Sequence, residues 1–135
     1  MTMKPKLTGL AQACEPNREI QARIGDKWST LIIFALREGS LRFSELQRSV
    51  GTVSQRMLTL RLRGLERDGL VERMVTPTVP PRVDYKLTTL GHSLRAVMEQ
   101  LAQWAIQHRA EVDAARTRFD KGAAVAKASR VSRNK

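Results

Sequence analysis

The residues best suited to chemistry lie in one basic stretch, SQRMLTLRLRGLERDGL, which begins at Ser54. Its leucines and arginines fit either a core helix with a solvated charged face or a surface that contacts a polyanion. A helix advances by about 100° per residue, which places Leu58, Leu62 and Leu65 on one face. Guanidinium groups on the opposite face could pair with phosphates or with base edges of a nucleic acid.

The arginines of this stretch are not equivalent. Arg56, Arg63 and Arg67 lie within about 40° of the pole opposite the leucine face, so we expect them to point outward. Arg67 lies far along the helix and is the weaker candidate for a contact. Arg61 lies at the edge of the leucine face, where its stem covers apolar surface and its head reaches water or an acid.

The sequence shows no signal for catalysis or metal binding. Its single cysteine, Cys14, excludes an intrachain disulfide and a Cys-rich zinc site. The two histidines, His92 and His108, make no metal-binding spacing with a pair of carboxylates. Because a Gly-rich phosphate loop and a nucleophile–base pair are also missing, we expect no enzymatic activity, no metal and no cofactor.

Helical patterns precede the basic stretch. Pro16 suits the first turn of a short helix that ends at Gly25, and Asp26 is a typical N-cap for the next helix. That helix covers residues 27–38 and stops at Gly39. Its apolar face is formed by Trp28, Leu31, Ile32, Ala35 and Leu36.

The next elements predict a winged helix. A helix over 43–50, a turn over 51–53 and the helix that Ser54 caps form a helix-turn-helix, since two short helices are joined by three residues that include a glycine. Residues 70–75 and 83–87 have strand-like patterns and are joined by a Pro-rich loop. We therefore predict a mainly α-helical fold with a small β-hairpin wing.

In a helix-turn-helix, the N-terminal half of the second helix contacts base edges in the major groove of DNA. Arginine can bridge guanine O6 and N7, and glutamine can pair with adenine N6 and N7. Leu60 is either an ordinary surface leucine or a contact for a thymine methyl group. The candidate DNA-contact residues are Ser54, Gln55, Arg56, Thr59, Leu60 and Arg63.

Thr88 caps a last helix that carries a long apolar stripe. The stripe consists of Leu90, Leu94, Val97, Met98, Leu101, Trp104 and Ala105. It either packs wholly on the core of its own domain or buries its distal half against a second subunit. We favour the second alternative, a homodimer, because an uncovered stripe of this length would expose a large apolar patch.

The formal net charge of +11 is concentrated towards the end of the chain, where residues 116–135 contain seven lysines and arginines and one aspartate. A basic tail either adds affinity for a polyanion or only keeps the chain in solution. We predict a flexible segment over residues 1–13, a DNA-binding and dimerisation domain over 14–115, and a disordered basic tail over 116–135. Because no signal peptide or membrane span is apparent, we expect a cytoplasmic protein without a membrane partner.

Several motifs, in order along the chain, resemble one known family. They are Ile24-Gly25-Asp26-Lys27-Trp28, Arg42-Phe43-Ser44-Glu45-Leu46, Ser54-Gln55-Arg56-Met57-Leu58-Thr59 and Val79-Pro80-Pro81-Arg82-Val83-Asp84-Tyr85-Lys86-Leu87-Thr88. Together they resemble the HxlR-type bacterial transcriptional regulators, which are winged helix-turn-helix proteins related to the MarR group. The resemblance covers about residues 14–105.

The resemblance implies a homodimeric regulator, in our interpretation a repressor, that binds an inverted repeat in double-stranded DNA at the bacterial nucleoid. The helix from Ser54 would enter the major groove, and the wing and backbone contacts would come from Arg42 and Arg82. The terminal helices would form the dimer interface. The expected interface residues are Ile20, Leu94, Met98, Leu101, Trp104 and Ala105.

This sequence departs from the family pattern at two positions. The family often has a polar residue, commonly glutamine, where Leu60 stands, so we expect a different base preference there. It also often has a cysteine directly before a proline, whereas Glu15 separates Cys14 from Pro16 here. Some members use that cysteine to sense oxidants, so Cys14 is either a redox sensor or an inert thiol, and the effector is an unidentified oxidant or small molecule. The alternative function is a protein–protein adaptor, which would need an apolar or acidic stripe instead of a basic one.

Overall fold

A computed structural model describes residues 17–133 of the chain. This part of the chain contains five helices and three strands. They are α1 (Arg18–Gly25), α2 (Lys27–Ala35), β1 (Leu41–Arg42), α3 (Phe43–Val50), α4 (Gln55–Arg67), β2 (Val71–Thr76), β3 (Arg82–Leu87) and α5 (Thr89–Arg133). The predicted winged-helix class, mainly helical with a small antiparallel sheet, is confirmed.

The core lies under the inner face of α4. Leu58, Leu62 and Leu65 are at most 2% exposed, as their shared helix face predicts. Helix α2 packs against α1, α3 and α4, so Ile33 is buried as well as the predicted Ile32. The buried apolar cluster comprises Ile32, Ile33, Leu36, Leu46, Val50, Val53, Leu58, Leu62, Leu65, Leu70, Val71, Leu87 and Met98.

The sheet is antiparallel, with β3 between β1 and β2. Val71 lies opposite Leu87, and Arg73 lies opposite Tyr85. Residues directly opposite each other share a face, and so do residues two apart along a strand. Because Val71 and Leu87 are buried in the core, the face that carries Arg73 and Tyr85 is the core side of the hairpin.

Side-chain caps begin three of the helices where the sequence predicts them. The hydroxyl of Ser54 accepts a hydrogen bond from the N–H of Met57 at 3.1 Å. The hydroxyl of Thr88 accepts from the N–H of Gly91 at 3.0 Å and donates to the carbonyl of Gly69 at 2.6 Å. Thr88 therefore ties the start of α5 to the turn that follows α4.

Asp26 caps α2 and links three elements. Its carboxylate accepts from the N–H and the hydroxyl of Ser29 at 2.9 Å and 2.7 Å, and Arg61 Nε lies 3.2 Å away. Burial raises the pKa of Asp26. The Ser29 hydrogen bonds and the charges of Arg61 and Arg23 outweigh that effect, so the pKa lies below its ordinary value.

The structure corrects two expectations for the C-terminal part. Residues 116–133 are helical instead of disordered, since alanine, lysine and arginine favour a helix and no proline interrupts them. Met98 is 3% exposed and belongs to the chain's own core, so it has no surface to offer to a second subunit. The chain divides into two compact units, one that ends at Met98 and one that begins at Glu99.

We expect Gly91→Ala to lower the free energy of unfolding by about 1–3 kcal/mol, because the added Cβ overpacks the core. A Cβ on Gly91 would overlap the carbonyl oxygen of Leu70 and lie 3.2 Å from Leu87 Cδ2. That carbonyl also accepts from the N–H of Thr88 at 3.1 Å, so it cannot retreat without weakening this bond. Urea denaturation followed by circular dichroism measures the loss.

The matched control for this substitution is Gly122→Ala in the same helix. No neighbouring atom lies within 4 Å of a Cβ at Gly122, so the substitution should keep or raise stability through helix propensity. An equal loss of stability in both variants would show that the contact with Leu70 is not the cause.

Asp26→Asn tests the charge of the α2 cap, because asparagine caps a helix about as well as aspartate. A lowered pKa stabilises the fold above the ordinary carboxyl range, and this stabilisation is lost as the pH falls through the lowered pKa. The variant should therefore unfold more easily than wild type at pH 7, by a difference that shrinks below about pH 4. Denaturation curves at a series of pH values measure this difference.

Asp113→Asn provides the comparison for Asp26→Asn. Asp113 forms an exposed pair with Arg109 Nε at 3.8 Å, and such pairs contribute little to stability. We expect this variant to unfold like wild type at pH 7. A difference between Asp26→Asn and wild type that stays constant into the acid range would contradict the assigned role of the carboxylate.

Candidate nucleic-acid interface

The turn between α3 and α4 sets the direction of the candidate contact helix. Gly51 has a φ of 97°, a backbone conformation that favours glycine. Val53 is buried, and its carbonyl accepts from the Gln47 amide at 3.4 Å. With Leu58 buried one turn into α4, the turn holds the opposite face of the helix towards solvent.

All six candidate contact residues from the sequence are exposed, and they lie together on α4 and its cap. Two of their hydroxyls already have partners within the helix, since Ser54 caps it and Thr59 donates to the carbonyl of Gln55 at 2.8 Å. Leu60 is 56% exposed although it is apolar. The face therefore presents two arginines, one side-chain amide and one exposed leucine. The hydroxyls of Ser54 and Thr59 can each form a further hydrogen bond in addition to the one within the helix.

Arg61 lies apart from this face, as its helical position predicts. Its Nε is 3.2 Å from Asp26 Oδ2, and its side chain is 33% exposed. The sequence predicts that its head reaches water or an acid, and the group beside it is the acid Asp26. Arg67 is exposed, and its Nη1 lies 3.5 Å from Glu19 Oε2 of α1.

A second ion pair between α1 and the end of α4 was not predicted. Arg23 Nε donates to Asp68 Oδ2 at 2.8 Å, and the Asp68 side chain is 9% exposed. The guanidinium of Arg23 passes over Gly64, where any Cβ would overlap it. A glycine in the middle of α4 was the one local signal for this close approach.

The wing and backbone residues nominated from the sequence, Arg82 on β3 and Arg42 on β1, lie on the face of the sheet away from the core. Arg82 donates through Nε and Nη2 to the two carboxylate oxygens of Asp84, at 3.0 Å and 3.3 Å. The hydrogen bonds and charge of Asp84 raise the pKa of Arg82. Arg42 lies opposite Asp84 in the sheet and is exposed, and its N–H donates to Glu45 at 3.0 Å. Both arginines therefore border one acid.

The candidate dimer residues differ in exposure. Ile20 is 39% exposed, Leu101 57% and Trp104 54%, and Ala105 is also exposed, whereas Leu94 is partly buried against the core. The Trp104 ring stacks on His108, with centroids 4.5 Å apart. Cys14, the candidate redox sensor, lies outside the described residues.

An open groove lies between α4 and the hairpin, and the sequence did not predict it. Its volume is about 510 Å³, and its lining includes Arg63 and Arg67 from α4 and Arg73 and Tyr85 from the hairpin. Within residues 17–133, the groove included, no three His, Asp or Glu side chains lie close enough together to hold a metal ion. Over the same residues, no helix combines the length and apolarity of a membrane span.

Comparisons with known proteins agree with this architecture. Residues 23–113 match the family model described as HxlR-like helix-turn-helix. YtfH of Escherichia coli K12, named an uncharacterized HTH-type transcriptional regulator, is 43% identical over 106 residues, which cover 78% of this chain and 83% of YtfH.

Two solved structures show the same similarity. The structure of ytfH from Salmonella typhimurium has a TM-score of 0.67 and 42% identity, and it covers 75% of this chain and 90% of that chain. The redox regulator HypR in its oxidized form has a TM-score of 0.62 and 39% identity, covering 68% of this chain and 95% of HypR. The chain therefore belongs to the HxlR-like helix-turn-helix family of transcriptional regulators, which its sequence motifs resemble.

Proposed function

We propose that this protein is a repressor that binds a specific inverted repeat in double-stranded DNA as a homodimer. The observation that carries the proposal is the exposed polar face at the start of α4, the second helix of the helix-turn-helix. Arg56 and Arg63 would bind guanines or phosphates, and Gln55 would bind an adenine. The hydroxyls of Ser54 and Thr59 already form one hydrogen bond each within the helix. Each could form a further hydrogen bond, to a DNA phosphate.

The wing is the second part of the proposed interface. Arg42 and Arg82 would contact the DNA backbone or the minor groove beside the helix. Since Asp84 binds the guanidinium of Arg82 at 3.0 Å and 3.3 Å, part of that arginine's charge is already neutralised. We therefore assign the wing the smaller share of the electrostatic affinity.

Support for the homodimer comes from the apolar side chains that α5 leaves in solvent. Leu90, Val97, Leu101 and Trp104 follow one another at intervals of seven, four and three residues and are each more than half exposed. Exposed apolar side chains at this spacing are typical of a helix face that a partner covers. Ile20, Leu94 and Ala105 would join this interface, whereas Met98 would not. Bound at a promoter, such a dimer would block the polymerase, which is the reason for proposing a repressor.

Selection of bound sequences from a random DNA pool tests the proposal directly. A homodimer with two recognition helices should select an inverted repeat whose half-sites are about 34–36 Å apart, or a multiple of that distance. Sequencing of the selected pool yields the motif, its symmetry and its spacing. An enriched motif without twofold symmetry would contradict the dimer, and a pool without any enrichment would contradict sequence-specific binding.

Leu60→Gln tests whether the exposed leucine contributes to base preference. If Leu60 contacts a thymine methyl group, the variant should lose about 1 kcal/mol of discrimination at one base pair of each half-site, which is the contribution of about one buried CH2 group. Fluorescence anisotropy with operator duplexes mutated at single positions measures that preference. Phe119→Gln is the control, since Phe119 is also exposed (76%) but lies on α5 outside the residues assigned to the dimer interface. An unchanged preference at every position in Leu60→Gln would leave Leu60 as an ordinary surface residue.

Redox regulation through Cys14 is a subordinate candidate. HypR, which is 39% identical to this chain, is named a redox regulator. That name belongs to HypR, and Cys14 lies outside the residues that the structure describes. We therefore propose DNA binding as the function and assign no effector to it.

A further inference from the structure

The groove between α4 and the hairpin carries more positive than negative charge. Arg63, Arg67 and Arg73 line it together with one acid, Glu66. Arg67 is the member already engaged, since its Nη1 lies 3.5 Å from Glu19. Within residues 17–133, neither Arg63 nor Arg73 belongs to an ion pair. Two guanidinium groups, one from each wall, are therefore available to an anion.

Strand register decides which hairpin arginine belongs to the groove. Arg73 lies opposite Tyr85, two positions from the buried Val71, so it is on the core side of the hairpin, next to α4. Arg82 lies opposite Thr76 on the other face and is held by Asp84. The hairpin thus presents an unpaired cation on the α4 side and a paired one on the far side.

The position of the groove favours a particular anion. If α4 enters the major groove and the hairpin approaches the adjacent minor groove, one DNA backbone strand must pass between them, since that strand separates the two grooves. The backbone carries one phosphate charge per nucleotide, and arginine binds phosphate oxygens through two parallel N–H groups. Tyr85 adds a phenolic hydroxyl that can donate a further hydrogen bond.

We propose that this groove cradles a phosphodiester of the DNA backbone, with Arg73 and Tyr85 as phosphate contacts and Arg63 shared between phosphate and base. This inference rests on the proposed function and adds a division of roles to it. The α4 face distinguishes sequences, whereas Arg73 contributes affinity for any duplex. Under this proposal Arg73, and not Arg82, is the hairpin residue that contributes most to the electrostatic attraction for DNA.

Arg73→Gln in the full chain tests the role of Arg73. Binding is measured by fluorescence anisotropy, on the selected operator and on an unrelated duplex, at several salt concentrations. We expect both duplexes to bind roughly a hundredfold more weakly, because each of the two subunits loses a charge-assisted hydrogen bond. The slope of log affinity against log salt should become shallower by about 1.8, which is about 0.9 for the phosphate that each subunit loses. The base preference should stay unchanged.

Lys86→Gln is the matched control, because it removes one positive charge from the same hairpin. Lys86 lies on the face of the hairpin opposite to that of Arg73, and its Nζ lies 3.4 Å from Glu72 Oε2. Its salt slope should equal that of wild type. Arg73 is exposed, so we expect both variants to melt like wild type, and Arg73→Lys, which keeps the charge, should recover the slope. Equal effects of Arg73→Gln and Lys86→Gln would overturn the proposal, since net charge alone would then explain them.

Methylphosphonate duplexes identify the bound anion. A single uncharged linkage at the cradled phosphate of each half-site should weaken wild type about as much as Arg73→Gln does, and combining the two changes should cost little more. Additive losses at every linkage would overturn the proposal. If wild type binds no duplex, the proposed function itself fails. If wild type and Arg73→Gln bind alike, only the cradle fails.

Discussion

Burial of one face of α4 is the constraint on which the candidate DNA-contact surface depends. Leu58, Leu62 and Leu65 are at most 2% exposed, so the helix cannot turn about its axis without bringing apolar surface into water. Burial of one such side chain stabilises the fold by about 1.5–3 kcal/mol. The directions of Arg56 and Arg63 therefore follow from packing and need no contact of their own.

Carboxylates then divide the arginines around α4 into two groups. Arg23 and Arg61 are held at 2.8 Å and 3.2 Å by aspartates, and on the hairpin Arg82 is held at 3.0 Å. The first two pairs stabilise junctions between elements, whereas the Arg82–Asp84 pair lies within β3. Arg63 and Arg73 face the groove without an acidic partner among residues 17–133. The net charge of the chain thus says less about its binding surface than the distribution of its few acids.

Local signals explain what the sequence predicted correctly. The bounds of α3 agree with its apolar spacing, and Ser54 and Thr88 are caps whose hydrogen bonds reach only three residues ahead. Pairing between distant residues explains what was missed. The side of the hairpin on which Arg73 lies depends on register with β3, which no local pattern specifies. The apolar spacing along α5 also does not distinguish a side chain that is buried in the core of its own domain, as Met98 is, from one that a second subunit covers.

The paired contacts between α1 and α4 link the start of the described chain to the candidate DNA-binding helix. Arg23 reaches Asp68 at 2.8 Å across Gly64, and Glu19 lies 3.5 Å from Arg67. Any event that displaces α1 must break these pairs and leave the largely buried Asp68 carboxylate without its partner. By thermodynamic linkage, DNA that favours the present orientation of α4 would in turn oppose that displacement. The first described helix and the operator would then act on each other's equilibrium without direct contact.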